Sequence, residues 1–258
     1  MTAKLAFITG ASSGIGQALA WRFYQAGYSL ALVARRTGEI QAWSARRALD
    51  VGRYAIYSAD VADTASIVAV GKACISAQGM PDVVIANAGI SIGVDTAVLP
   101  DIDVIAQTFA TNNVGMAATF HPFVEGMSKR GSGALVGIGS VAGIRGLPGH
   151  GAYCASKAAV ISYCESLRGE LRPSGVKVVT ICPGYVDTPL TQQNRYSMPF
   201  LMQPEDFAEK AFNTIDSGAT YQVIPWQMGV VAKLLRLLPD FVFDRVLAGR
   251  PRKHRKGE

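Results

Sequence analysis

The stretch KLAFITGASSGIGQALAWRFYQAGYSLALVA, residues 4–34, decides the fold. A short apolar run over 4–9 enters the glycine-rich turn TGASSGIG, residues 9–16. A helical pattern follows to Ala26, halts at Gly27, and a second apolar run fills 28–34. Apolar runs this short and continuous suit strands buried on both faces of a parallel sheet. A glycine just past a helical pattern is a natural C-cap. The stretch therefore reads strand, turn, helix, strand, which is one βαβ unit.

The alternation continues outward. Residues 37–51 read helical and 53–58 as strand, and Asp63 can cap a helix over 64–77. A strand over 82–86 ends at Asn87-Ala88-Gly89, and a long helix fills 101–129. Then come a strand (134–139), a helix (152–171) stopped by Pro173, and a strand (176–182) broken by Pro183-Gly184. Pro204-Glu205-Asp206 opens another helix, with proline in the first turn and acids at the positive end of the dipole, and 220–224 is a seventh strand. Strict alternation predicts an α/β, Rossmann-type doubly wound parallel sheet of about seven strands with helices on both faces. No break in composition precedes residue 225 or so. Residues 1–225 therefore read as one dinucleotide-binding and catalytic domain, 226–249 as an apolar helical extension of it, and 250–258 as a basic tail.

Composition narrows the function. With 258 residues, 49% hydrophobic and 17% charged, the chain can bury a large core and is neither disordered nor a disulfide scaffold. The tail RPRKHRKGE holds five Lys/Arg and one Glu, so +4 of the net +6 sits there and +2 is left for the rest. Such a balance describes a tail and argues against a nucleic-acid partner. Cys74, Cys154, Cys164 and Cys182 lack metal-ligand spacing, so no metal is expected. Without a signal sequence they read as reduced thiols of a cytoplasmic protein. No apolar run approaches the roughly 20 residues that span a bilayer.

Two stretches carry chemistry. Gly10, Gly14 and Gly16, placed between the first strand and the first helix, allow a tight turn and the close approach of a pyrophosphate to the helix N-terminus. The second strand ends in Ala34 and then Arg35-Arg36, where many dinucleotide proteins carry an acid for the ribose hydroxyl. Two guanidiniums suit a phosphate instead, so NADP is favoured over NAD. In SVAGIRGLPGHGAYCASK, residues 140–157, Tyr153 and Lys157 lie four apart on one helix face, with Ser140 upstream. That set makes a proton-transfer site. A free tyrosine with a pKa near 10 needs roughly 4 kcal/mol of preferential phenolate stabilisation to reach about 7. A nearby lysine is expected to supply part of it.

These residues resemble the short-chain dehydrogenase/reductase family, in its compact single-domain branch, over roughly 4–224. TGASSGIG is similar to the family's TGxxxGxG, Asn87-Ala88-Gly89 to its NAG, Tyr153-x3-Lys157 to its YxxxK, and Pro183-Gly184 to its PG. The resemblance implies that Ser12, Ser13 and Ile15 contact phosphates and adenosine ribose with the glycine turn. It implies that Asp60 and Val61 flank the adenine, that Asn87, Ala88 and Gly89 border the ribose, and that Val186 and Thr188 face the nicotinamide carboxamide. Arg35 falls where NADP-preferring members carry a base. Asn112, selected over Asn113 by its spacing to Gly115, resembles the asparagine that anchors a water joining the lysine to solvent. Lys157 would hold the nicotinamide ribose, Ser140 the substrate oxygen, and Tyr153 the proton. Helices 101–129 and 152–171 form subunit contacts in the family, so a homodimer or homotetramer is implied.

The implied activity is an NADP-dependent interconversion of a secondary alcohol with a ketone or aldehyde. Two alternatives are reduction of a 3-oxoacyl group on a carrier protein, with Lys129, Arg130 and Arg172 meeting an acidic carrier, and a non-catalytic redox sensor. Residues 189–203 are expected to form a lid over the substrate. Residues 226–256 combine apolar helices with a basic cluster. They can lie on an anionic membrane surface or cover the pocket or a subunit interface, and either way a lipophilic substrate is expected.

Overall fold

β1 (Leu5–Thr9) is buried along its whole length and pairs in parallel with both β2 (Ser29–Ala34) and β4 (Val83–Ala86). The computed structural model describes residues 3–192, 194, 197–249, 252–255 and 257. Around β1 it builds one seven-stranded sheet in the order β3-β2-β1-β4-β5-β6-β7, every pair parallel. The remaining strands are β3 (Tyr54–Ser58), β5 (Ala134–Ile138), β6 (Lys177–Pro183) and β7 (Tyr221–Ile224). The helices are α1 (Gly14–Gln25), α2 (Thr37–Arg46), α3 (Thr64–Gln78), α4 (Pro100–Phe109), α5 (Gly115–Arg130), α6 (Gly151–Leu171), α7 (Pro204–Ser217), α8 (Trp226–Leu237) and α9 (Asp240–Leu247).

Strand side chains alternate between two cores, as the period of two demands. Ala6, Ile8, Leu30, Leu32, Ile85, Val136 and Ile181 face one core with α1 and α7, where Leu19, Phe23 and Phe207 are buried. Leu5, Phe7, Ala31, Val33, Val84, Leu135 and Val178 face the other with α3, α5 and α6. There the rings of Phe7 and Phe123 lie 4.9 Å apart. The strand order reverses between β1 and β4. In open α/β sheets the crevice beyond the carboxyl ends at such a point is where ligands bind.

Three local features depart from the sequence expectation. The helix expected over 37–51 stops at Arg46, with Ala48 left-handed at φ 50°. The Asp50 carboxylate then accepts from Gly52 N–H to open a short 3-10 turn, an alternative that competes with helix. The helix expected over 101–129 runs from 100 to 130, but a π turn over Ala110–Val114 divides it into α4 and α5. Lastly, residues 252–255 of the basic tail are tied to the body of the domain. Gly93 N–H donates to the His254 carbonyl at 2.8 Å, Arg255 pairs with Asp101 at 2.7 Å and Arg252 with Asp95 at 3.2 Å, since these two carboxylates outcompete water for the arginines. Residues 250, 251, 256 and 258 of the tail, and 193, 195 and 196 of the expected lid, lie outside the described residues.

α8 and α9 continue from β7 without a linker. Met228, Gly229 and Ala232 are buried against Val223 and Gly184, while Arg145 donates to the carbonyls of Leu235 and Leu238 and stacks on Phe243. Their outer face exposes Trp226, Val230, Leu234, Leu237 and Phe241. Among the described residues no helix is long and apolar enough to cross a membrane.

Candidate active site

The carboxyl ends of β1, β2, β4, β5 and β6 feed one cavity of about 260 Å³. The turn after β1 shapes its floor. Gly10 sits at φ +68°, and a Cβ there would meet the Asn87 amide nitrogen at 2.8 Å. A Cβ on Gly16 would lie 2.2 Å from the Gly10 carbonyl, so α1 can start only where this residue has no side chain. Ser13 is extended and makes no side-chain cap, and the first turn of α1 carries no acid. A helix N-terminus of this kind, with free N–H groups and the positive end of the dipole, receives a phosphate.

Gly10, Ser12, Ser13, Gly14 and Ile15 line the cavity with Arg35 and Arg36 after β2 and Asp60 and Val61 after β3. Arg35 approaches Asp60 at 3.4 Å, with both side chains exposed. Such a pair is weak, which leaves the guanidinium available to a stronger anion. Asn87, Ala88 and Gly89 line the middle. The Asn87 amide donates to the carbonyls of Thr9 and Gly10 at 3.0 and 3.4 Å, so it also ties the β4 end to the glycine turn. Pro183, Gly184, Val186 and Thr188 close the side after β6, with Thr188 packed against Gly14. Gly16 and Asn112 do not line the cavity; they stand behind it. Uncapped amides, a cradle that a Cβ would fill and two guanidiniums at the second strand together fit the phosphates of a dinucleotide.

Ser140, Tyr153 and Lys157 meet at the inner end. Ser140 is extended after β5, and its hydroxyl accepts from Ala142 N–H at 3.1 Å. The Lys157 ammonium lies 5.8 Å from the Tyr153 ring centroid and donates to the Ile138 carbonyl at 2.8 Å. Burial pushes the Tyr153 phenol up to about 12, against a smaller pull downward from its hydrogen bond with Ser140. Burial also brings the Lys157 ammonium down to about 8. The sequence expectation was a phenol lowered by its lysine. In the protein by itself, desolvation is the largest influence on the phenol, because the group has lost its water.

Asn112 sits in the π turn and accepts from Ile90 N–H at 2.9 Å while its amide donates to the Ile90 carbonyl and to Ser156. A Cβ on Gly89 would fall 3.2 Å from the Asn112 Oδ1 and 3.5 Å from the Lys157 Nζ, so these two polar groups face the same small gap. Asn113 is used as well, donating to the Ser156 carbonyl at 2.8 Å. The two asparagines thus lock the π turn to α6 through one serine. Sequence reading missed Ser156, which is fully buried between Asn112 and the Tyr153 carbonyl. Also missed were Thr9, whose hydroxyl accepts from the N–H groups of Asn87 and Ala88, and Thr191, which braces Thr188. Polar residues inside or beside the motifs were the available signal. Lys253, whose ammonium lies 5.9 Å from the Tyr153 ring centroid, had no signal at all. Lys129, Arg130 and Arg172 lie where α5 and α6 end, at the edge of the sheet opposite the cavity.

Residues 4–198 match the family model described as short chain dehydrogenase. An uncharacterized oxidoreductase of Myxococcus xanthus is 36% identical over 95% of this chain and 96% of its own. A putative ketoacyl reductase of the monensin polyketide synthase from Streptomyces virginiae is 35% identical over 75% of each chain. Among solved structures, a short chain dehydrogenase/reductase from Burkholderia phymatum in complex with NAD is 25% identical, with a TM-score of 0.81 over 97% of both chains. A short-chain dehydrogenase from Sphingobium yanoikuyae in complex with NADPH is 26% identical, with a TM-score of 0.77 over 92% of this chain and 97% of its own.

Proposed function

The chain belongs to the short-chain dehydrogenase/reductase family, and on that footing we propose that it is an NADP-dependent oxidoreductase interconverting a secondary alcohol with a ketone or aldehyde. The observation that carries the reading is the convergence of Ser140, Tyr153 and Lys157 at one end of a cavity whose other end is the glycine turn. A nicotinamide nucleotide supplies the hydride chemistry when bound. Ser12, Ser13, Ile15 and the turn amides would hold its phosphates, Arg35 and Arg36 the extra phosphate, Asp60 and Val61 the adenine, and Asn87, Ala88 and Gly89 the ribose. Pro183, Gly184, Val186 and Thr188 would bound the nicotinamide. NADP is preferred over NAD because no carboxylate stands at the end of β2 while two guanidiniums do.

Ser140 orients the substrate oxygen, and Tyr153 donates a proton to it in reduction and withdraws one in oxidation. Lys157 holds the ribose side and stabilises the phenolate as it forms. Asn112 positions the Lys157 surroundings through Ile90 and Ser156. A proton transfer so placed is worth about 10²–10⁴ in rate. The test is NADPH consumption over a panel of carbonyl compounds, repeated on Tyr153→Phe. Wild-type turnover that falls at least about a hundredfold in the variant supports the reading, and equal turnover refutes it.

The Streptomyces virginiae relative favours a second reading, reduction of a carrier-bound 3-oxoacyl group. The basic residues that would meet an acidic carrier give it no help, because they lie at the far edge of the sheet. Turnover of the carrier-bound group far above that of the free thioester would establish it. Residues 1–225 act as one dinucleotide-binding and catalytic domain and 226–249 as its extension. The exposed apolar face of α8 and α9, edged by Lys233 and Arg236, contacts an anionic membrane surface and suits a lipophilic substrate. Deleting 226–258 should abolish binding to anionic vesicles. We further propose a homodimer or homotetramer of a cytoplasmic protein, assembled through α4–α5 and α6, which equilibrium sedimentation would check.

A further inference from the structure

The segment Arg252–Arg255 is fastened beside Tyr153, a residue of the cavity lining, by groups that come from far away in the chain. Its backbone pairs with Gly93. Arg255 is held by Asp101, whose side chain is only 4% exposed, and Arg252 by Asp95. Arg252 also packs over Gly149, where a Cβ would approach it to 2.9 Å. The fastening leaves Lys253 half-buried, its ammonium 5.9 Å from the Tyr153 ring centroid. That is as near as Lys157 stands at 5.8 Å.

Lys253 has no carboxylate within ion-pair reach among the described residues. Asp95 and Asp101, the acids of the adjoining loop, are taken by its two arginine neighbours. The titratable groups that face it are the Tyr153 phenol, the Lys157 ammonium across the ring, and His150, whose own pKa burial lowers and the Lys253 charge lowers further. Asp60 is the one carboxylate among the cavity-lining residues, and it belongs to the end with Arg35. A half-buried cation without a counter-charge among the described residues is costly, and burial brings Lys253 down to about 8. The cost is recovered when an anion enters beside it.

We propose that Lys253 is a substrate-recognition residue that takes a carboxylate of the substrate, so that the compound acted on is an oxo acid or its hydroxy acid. A carboxylate suits it better than a phosphate. A lone ammonium is a point charge matched to a monoanion, whereas a phosphate dianion wants a guanidinium fork. Both forks of this segment are already engaged with Asp95 and Asp101. The closeness of Lys253 to Tyr153 sets the carboxylate a few bonds from the carbonyl, and an apolar remainder of the substrate is compatible with it.

The inference rests on Tyr153 being the proton donor, so the experiment separates the two claims. Phenylpyruvate, benzoylacetate and levulinate, each beside its methyl ester, are assayed with NADPH on wild type, Lys253→Met, Lys253→Arg and the charge-matched surface control Lys210→Met. Thermal shift with the same compounds is run without nucleotide. For at least one acid, wild type and Lys210→Met should favour acid over ester tenfold or more in kcat/KM. Lys253→Met should lose that preference through KM, and Lys253→Arg should retain much of it. The acid and not the ester should raise the Tm of wild type, and Lys253→Met should abolish the shift. Turnover with the same acid-to-ester ratio in wild type and Lys253→Met overturns the role of Lys253 and leaves the oxidoreductase standing. An acid-specific, Lys253-dependent thermal shift without turnover supports the recognition site and overturns the oxidoreductase reading.

Discussion

Replacing Lys157 with methionine should remove a defined part of the pH dependence of stability. The ammonium is 5% exposed, and burial takes it from 10.5 to about 8. A shift of that size puts the folded, charged form at a disadvantage of about 3 kcal/mol. Below pH 8 or so both states hold the proton, and the disadvantage is felt in full. Between about pH 8 and pH 10.5 the folded protein has released the proton while the unfolded chain still binds it, so stability rises with pH across that window. Worked through the two titrations, wild type gains about 1 kcal/mol between pH 7 and pH 9 on account of this residue. Lys157→Met has no such gain. Lys253, also brought down to about 8, is present in both proteins and drops out of the difference. The variant forfeits the hydrogen bond to Ile138, a cost of roughly 1–3 kcal/mol that does not vary with pH. Urea unfolding of both proteins at about pH 7, 8 and 9, followed by circular dichroism, gives the difference directly. A difference constant to within about 0.3 kcal/mol, or one that runs the other way, refutes the reasoning.

Other substitutions test the remaining parts. Arg35→Ala should raise KM for NADPH by about 10- to 100-fold while leaving NADH within a few-fold, since a charged hydrogen bond is worth about 1.5–3 kcal/mol; initial rates with both nucleotides decide it. Gly16→Ala puts a methyl group 2.2 Å from the Gly10 carbonyl. It should cost about 1–3 kcal/mol in urea unfolding and abolish nucleotide binding measured by fluorescence. Asp63 accepts from Ala65 N–H and Ser66 N–H at the start of α3. Asp63→Ala should therefore cost about 1 kcal/mol of stability without changing KM for either nucleotide.

The sheet was legible because its strands are short, continuous apolar runs, and each is separated by a helix whose start or stop is marked by Asp63, Gly27, Pro173 or Pro204. The cavity was legible because each motif immediately follows a strand, so the topology brings the loops together. What stayed hidden depends on contacts between distant residues. Helix periodicity runs through 101–129 unbroken, and the π turn arises only because Asn112 and Asn113 must reach Ser156 on another helix. Asp101 lies in the first turn of α4, yet its carboxylate serves Arg255, 154 residues away. The tail reads only as a basic cluster, because a sequence does not reveal which carboxylates will hold its arginines.

The charge arrangement at the inner end bears on how the proposed proton transfer runs. Burial raises the phenol and lowers both ammonium groups, so the protein alone sets Tyr153 at about 12 and Lys157 at about 8. At neutral pH the phenol therefore holds its proton, which is the state reduction requires. The phenolate left after transfer is the costly species. Two ammonium groups lie 5.8 and 5.9 Å from the ring centroid, one on α6 and one on the C-terminal segment. Their attraction to it is small while the phenol is neutral and largest at that moment, which is the condition for lowering a barrier and not merely tightening binding. A carboxylate seated on Lys253 would cancel half of this help, so under the proposed substrate class Lys157 alone must carry the stabilisation. Lys157 is suited to that part, being the more deeply buried of the two and tied to the strand end at Ile138.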